Sequence, residues 1–93
     1  MTKPATSHVH VDNPRVRVTE WRLPPDGATG YHRHAMDYVI VPISTGRMIA
    51  KGPSGEFAID LVPGASYARN AGVEHDVINP GPGEVVFVEI ELK

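Results

Sequence analysis

The sequence predicts an all-β fold, a sandwich or barrel of many short strands, and three observations carry that reading. Proline and glycine, nine of each, punctuate the chain at nearly regular intervals. The segments between them are short: the longest free of both covers residues 31–41, so an ordinary core helix is cramped everywhere. Those segments either alternate polar with apolar residues or are rich in Val and Ile, which pack well on a pleated surface.

Taken in order, Ser7-His8-Val9-His10-Val11 alternates and reads as an N-terminal edge strand. The first few residues are expected to be loose unless they pair with a neighbouring sheet. Beyond the Asp12-Asn13-Pro14 turn, Arg15-Val16-Arg17-Val18 alternates strictly, in a segment that ends at Pro24-Pro25-Asp26-Gly27. The run Tyr38-Val39-Ile40-Val41-Pro42-Ile43 is a strand by composition and stops before Thr45-Gly46. The Gly52-Pro53-Ser54-Gly55 turn opens segment 56–62, and Pro63-Gly64 closes it. Segment 73–79 lies between Asn70-Ala71-Gly72 and Asn79-Pro80-Gly81-Pro82-Gly83. In the last segment Val86, Val88, Ile90 and Leu92 share one face. Trp21 and Phe87 are expected in the core. No repeat, linker or low-complexity tract interrupts the pattern.

Ninety-three residues make one small domain, residues 1–93. A chain of this size buries only about 60–65% of its unfolded surface, so it needs an economical core, a metal or a partner subunit. The net charge of −2 and scattered Lys and Arg argue against a nucleic-acid partner. No apolar run is long enough to span a bilayer, and the N-terminus lacks a signal-like apolar stretch, so no membrane partner and a cytoplasmic location are expected. The absence of cysteine removes disulfides, thiolate nucleophiles and Cys-rich zinc modules. A metal would have to sit on nitrogen and oxygen ligands.

His32 and His34 are such nitrogens. On a strand, side chains two apart point the same way, about 6.5–7 Å apart along the backbone. Two imidazoles at that spacing can converge on one ion at about 2.0–2.1 Å. A third ligand must come from a distant strand, and His75, after the Asn70-Ala71-Gly72 turn, is the candidate.

At these residues the chain resembles the cupin family. Gly27-Ala28-Thr29-Gly30-Tyr31-His32-Arg33-His34-Ala35-Met36-Asp37-Tyr38, followed by Gly46, is similar to the first cupin motif, in which two His and a Glu bind metal. Residues 64–79, with Asn70, Gly72, His75 and Asn79, resemble the second motif, with its single His ligand and terminal Asn, and match its spacing throughout. The short segment between the motifs is similar to that of microbial single-domain cupins. The resemblance covers more than half of the chain. It implies a double-stranded β-helix, the jelly-roll barrel of two packed antiparallel sheets, with one divalent metal ion in one mouth, held by His32, His34 and His75. A narrower resemblance, in His32-Arg33-His34-Ala35-Met36-Asp37-Tyr38 and its following apolar run, points to a bacterial subgroup that includes a cupin attributed to β-alanine degradation.

The departures from the family pattern bear on chemistry. Gly27 and Gly46 are each displaced by one residue, and Asn70 replaces a Pro, a mild change because Asn is itself a good turn residue. Tyr38 stands where the family's Glu ligand usually stands. Its phenol has an ordinary pKa of about 10, so the site loses an anionic ligand and gains open positions. In even register with His32 and His34, Tyr38 should face the pocket and is the candidate catalytic residue; Asp37, of opposite parity, should face solvent. Tyr67, Arg69 and Glu74 lie near the second motif, where they could contact an anionic ligand or His75, although single charged residues on strands are ordinarily solvated. His8 and His10 match no family ligand position.

These features lead to the expectation of a small metalloenzyme, dioxygenase-type or isomerase-type, acting on a small organic acid or similar metabolite. The ion could be Fe, Zn, Ni, Mn or Cu, since imidazole accepts several metals. The alternative is a non-catalytic cupin that binds or senses a small ligand. A homodimer is expected, because the core is small and residues 7–11 can extend a neighbour's sheet.

Overall fold

The computed structural model describes residues 3–93, and among these there is no helix. Eleven strands follow one another: β1 (Lys3–Pro4), β2 (Thr6–Asp12), β3 (Val16–Leu23), β4 (Gly27–Ala28), β5 (His32–Arg33), β6 (Asp37–Pro42), β7 (Gly46–Gly52), β8 (Gly55–Leu61), β9 (Tyr67–Arg69), β10 (Glu74–Ile78) and β11 (Val85–Leu92). They form two sheets, β1-β4-β10-β7-β8 with β5 added beside β10, and β2-β3-β11-β6-β9. All pairings are antiparallel except the two-residue parallel contact of β1 with β4. Consecutive strands repeatedly switch sheets, as a double-stranded β-helix requires. Residues 1 and 2, part of the expected loose start, lie outside the described residues.

The core lies between the sheets. Leu23, Tyr38, Ile40, Met48, Leu61, Val77, Val85 and Phe87 form one buried cluster, with Trp21 packed against it. Each takes its place by strand parity: Ile40 and Tyr38 of β6 face inward with Phe87 of β11, while the intervening Val39 and Val41 face outward. In β11 the inward set is Val85, Phe87 and Glu89, so Val86, Val88, Ile90 and Leu92 share the outer face of the sheet. Both faces of this strand are apolar, and the alternation in the sequence does not say which one turns inward.

Asn79 closes the end of the barrel away from the turn at Gly72. It is almost fully buried, and its amide nitrogen donates to the carbonyls of Leu23 at 2.9 Å and Gly83 at 2.7 Å. Its amide oxygen accepts the Gly81 N–H at 2.9 Å. One side chain thereby supplies the partners that the end of β3 and the loop before β11 lack; an Ala there would leave those groups unpaired at a cost of about 1–3 kcal/mol.

Candidate metal centre

Two short pairings bring the three motif histidines together. β5 runs antiparallel to β10 with His32 directly opposite His75, so their side chains stand next to each other on one face. The segment after β5 is then tied to the turn before β10. The His34 N–H donates to the Val73 carbonyl and the Gly72 N–H donates to the His34 carbonyl, each at 2.8 Å. Gly72 makes this possible, because its φ of 95° lies where L side chains are strained. The second-motif turn therefore fixes the backbone of His34 as well as launching His75.

The rings meet at their Nε2 atoms. His34 Nε2 lies 3.1 Å from His32 Nε2 and 3.1 Å from His75 Nε2. The same three residues are the one group of His, Asp and Glu among the described residues that could hold a metal, with ligand atoms all within 4.8 Å of one another. Nitrogens about 2.0–2.1 Å from a common ion stand roughly 2.9–3.4 Å apart when they occupy adjacent octahedral or tetrahedral positions. The two spacings from His34 fit that range.

The far sides of the rings fix which nitrogen is free. His32 Nδ1 lies 2.8 Å from the Gly30 carbonyl, which can only accept, so that nitrogen carries the proton. His34 Nδ1 faces the carboxylate of Glu89 at 3.5 Å, a charge contact longer than an ordinary hydrogen bond. With its Nδ1 proton held by Gly30, His32 presents its Nε2 lone pair to the point where the His34 and His75 rings converge, and a cation or a shared proton there relieves the repulsion between facing nitrogens. Burial is the largest cause that lowers the His75 pKa, to about 4, followed by the neighbouring His32 and His34. His75 is therefore neutral and ready to ligate across the physiological range. The donor set, its spacing and its tautomers fit a divalent cation with imidazole preference.

Tyr38 is buried beside this cluster, its ring stacked on His34 at 3.8 Å between centroids and 17° between planes. Desolvation raises its phenol to about 12, so it is protonated at neutral pH. Asp37 is exposed, and its carboxylate accepts the Ala71 N–H at 2.7 Å. The Glu74 carboxylate accepts from the exposed Tyr31 hydroxyl at 2.8 Å. His8 and His10 sit exposed on edge strand β2, with His10 Nε2 3.1 Å from Glu20, and take no part in the triad.

Glu89 is the residue that sequence reasoning missed. It is buried in β11, lines the cavity beside the triad, and faces His34. The signal was one acid inside Val85-Val86-Phe87-Val88-Glu89-Ile90, a position that shares parity with Phe87.

The triad borders a cavity of about 30 Å³, room for roughly one water or ion. Two wider clefts lead to it. One, of about 590 Å³, is bordered by Tyr38, Tyr67, Arg69, Phe57 and His75. The other, of about 440 Å³, reaches His32 and His34 past Arg17, Glu89 and Glu91. A metal ion held by the triad would be open to a small polar molecule through these two clefts.

The family model described as "Cupin domain" matches residues 19–91. The beta-alanine degradation protein BauB of Pseudomonas aeruginosa is 52% identical over 89 residues, covering 96% of this chain and 94% of that protein. A solved cupin domain from Bordetella pertussis Tohama I superposes with a TM-score of 0.97 at 54% identity, over 100% of this chain and 97% of that one. A double-stranded β-helix protein from Klebsiella pneumoniae gives a TM-score of 0.80 over 96% of this chain and 76% of its own, at 19% identity, a likeness of fold alone.

Proposed function

This chain belongs to the cupin family, and from that premise we propose that it is a metal-dependent enzyme acting on a small organic acid. The observation that carries the reading is the convergence of three imidazoles, with His34 Nε2 3.1 Å from the Nε2 atoms of both His32 and His75, the far nitrogen of His32 bonded to Gly30 and that of His34 facing Glu89. When bound, a divalent ion supplies Lewis acidity and open positions for substrate oxygens or dioxygen. His32, His34 and His75 hold it, and Glu89 orients His34 and raises its basicity. Tyr38, protonated and stacked on His34, acts as a hydrogen-bond donor to whatever binds rather than as a resident base.

The organic-acid assignment draws on the relative named for beta-alanine degradation, a pathway of short carboxylates by its name. Dioxygenase-type cleavage and isomerisation of a chelated carbonyl acid both use such a centre, and Fe, Zn, Ni, Mn or Cu suits its ligands. The test is elemental analysis of protein purified without chelators, followed by assays of oxygen consumption and conversion of short amino, hydroxy and oxo acids. One equivalent of metal with turnover of such an acid supports the proposal. A metal-loaded protein that binds these acids tightly and never converts them would show a binding module instead.

A further inference from the structure

We propose that Arg69 is the anchor for a substrate carboxylate, in a subsite at the mouth of the 590 Å³ cleft, so that the ligand bridges this guanidinium and the triad. The inference rests on the reading of the triad as a small-molecule site and names the chemistry that selects its ligand. Arg69 lies directly opposite Tyr38 in the β6–β9 pairing, and Tyr67 lies two residues before it, so strand parity puts all three on the face that lines the cleft. The guanidinium sits 5.2 Å from the centre of the Tyr67 ring, a cation–π contact that limits its wandering. Arg69 and His75 line the same cleft, so one small ligand can reach both.

What separates Arg69 from Arg17 is its lack of a carboxylate partner among the described residues; Arg33, in the second cleft, also forms no ion pair there, and it differs from Arg69 in the acids beside it. Arg17, in the second cleft, is shared between Asp12 at 3.5 Å and Glu91 at 3.9 Å. That cleft also holds two acids, Glu89 and Glu91, against the single Glu74 of the first, and is the less favourable for an anion. Arg69 forms no ion pair among the described residues, and the one acid beside it in the first cleft, Glu74, accepts from Tyr31. The wall opposite is apolar, with Phe57 and Ile59. A short acid with a carboxylate at one end, a carbonyl, hydroxyl or amino group at the other and a few carbons between matches that order of cation, apolar wall and metal ligands.

Acetoacetate and its neutral counterpart acetoacetamide are suitable probes, titrated by calorimetry and by the NMR shift of the Arg69 side-chain Nε–H. A charged hydrogen bond of the usual strength predicts roughly tenfold or greater preference for the acid in the wild type. In Arg69→Met that preference should fall to near one with metal content unchanged; Arg69→Lys should keep part of it, and Arg17→Met all of it. A wild-type preference near one, or its loss in Arg17→Met and not in Arg69→Met, overturns the anchor. Metal content is measured separately on the same samples. A protein that binds no metal yet discriminates acid from amide would sink the enzyme reading while leaving the subsite in place.

Discussion

The chain carries two His-x-His pairs of identical spacing, and only one builds a site. His8 and His10 have their rings 4.6 Å apart; His32 and His34 have theirs 4.7 Å apart. The first pair stands exposed on the edge strand β2, where His10 bonds Glu20 on the outer face of the sheet. The second pair faces a barrel interior, with His75 brought opposite His32 by the β5–β10 pairing and Glu89 behind His34. Local spacing alone does not make a ligand set. A third donor from a distant strand and carbonyl or carboxylate groups on the outer nitrogens distinguish the two.

The largest effect that sharpens this contrast comes from single alanine substitutions. His32→Ala, His34→Ala or His75→Ala should each reduce metal affinity by two orders of magnitude or more, since water replaces a lost imidazole poorly. The His8→Ala/His10→Ala double variant should match wild type. Competition titration with a chromogenic chelator reads both, and an unaffected His75→Ala protein would break the comparison outright.

Next in size is Glu89→Gln, which keeps the shape and removes the charge that orients His34. Loss of such a partner typically weakens metal binding by about 10–100-fold. Wild-type affinity in this variant would mean that the 3.5 Å contact has no orienting role. Tyr38→Glu should tighten metal binding by restoring an anionic oxygen and should weaken binding of an organic acid. Tyr38→Phe should leave metal affinity close to wild type, because a phenol held near pKa 12 is not an anionic ligand. Identical behaviour of all three proteins would show that Tyr38 does not address the ion.

The smallest effect is one of pH on the metal-free protein. The His75 pKa is about 4 when folded against an ordinary value of 6.5, so the unfolded chain binds an extra proton between those values. Stability should be complete above about pH 6.5 and decline as pH falls toward 4. Denaturant midpoints measured across that window check the sign, and His75→Gln should flatten the curve.

The fold was legible in the sequence because turn chemistry and strand periodicity are local. The triad was legible for a different reason, since His-x-His spacing and the residues around His75 resemble cupin motifs that already encode the long-range pairing. Glu89 was not legible. The alternation of Val86, Val88, Ile90 and Leu92 is the stronger apolar signal in β11, yet that set faces outward. An acid with the parity of Val85 and Phe87 reads as solvated until the strand's two neighbours are known. The clefts, and the partnerless state of Arg69 within one of them, depend on contacts among five or more strands that no single segment records.

Anomalous diffraction from crystals loaded with a divalent transition metal tests the central claim most directly. The account predicts one strong peak per chain about 2.1 Å from the Nε2 atoms of His32, His34 and His75, with none at His8 and His10. A peak held by His8 and His10, or a fully loaded crystal with no peak among the three interior imidazoles, would contradict it.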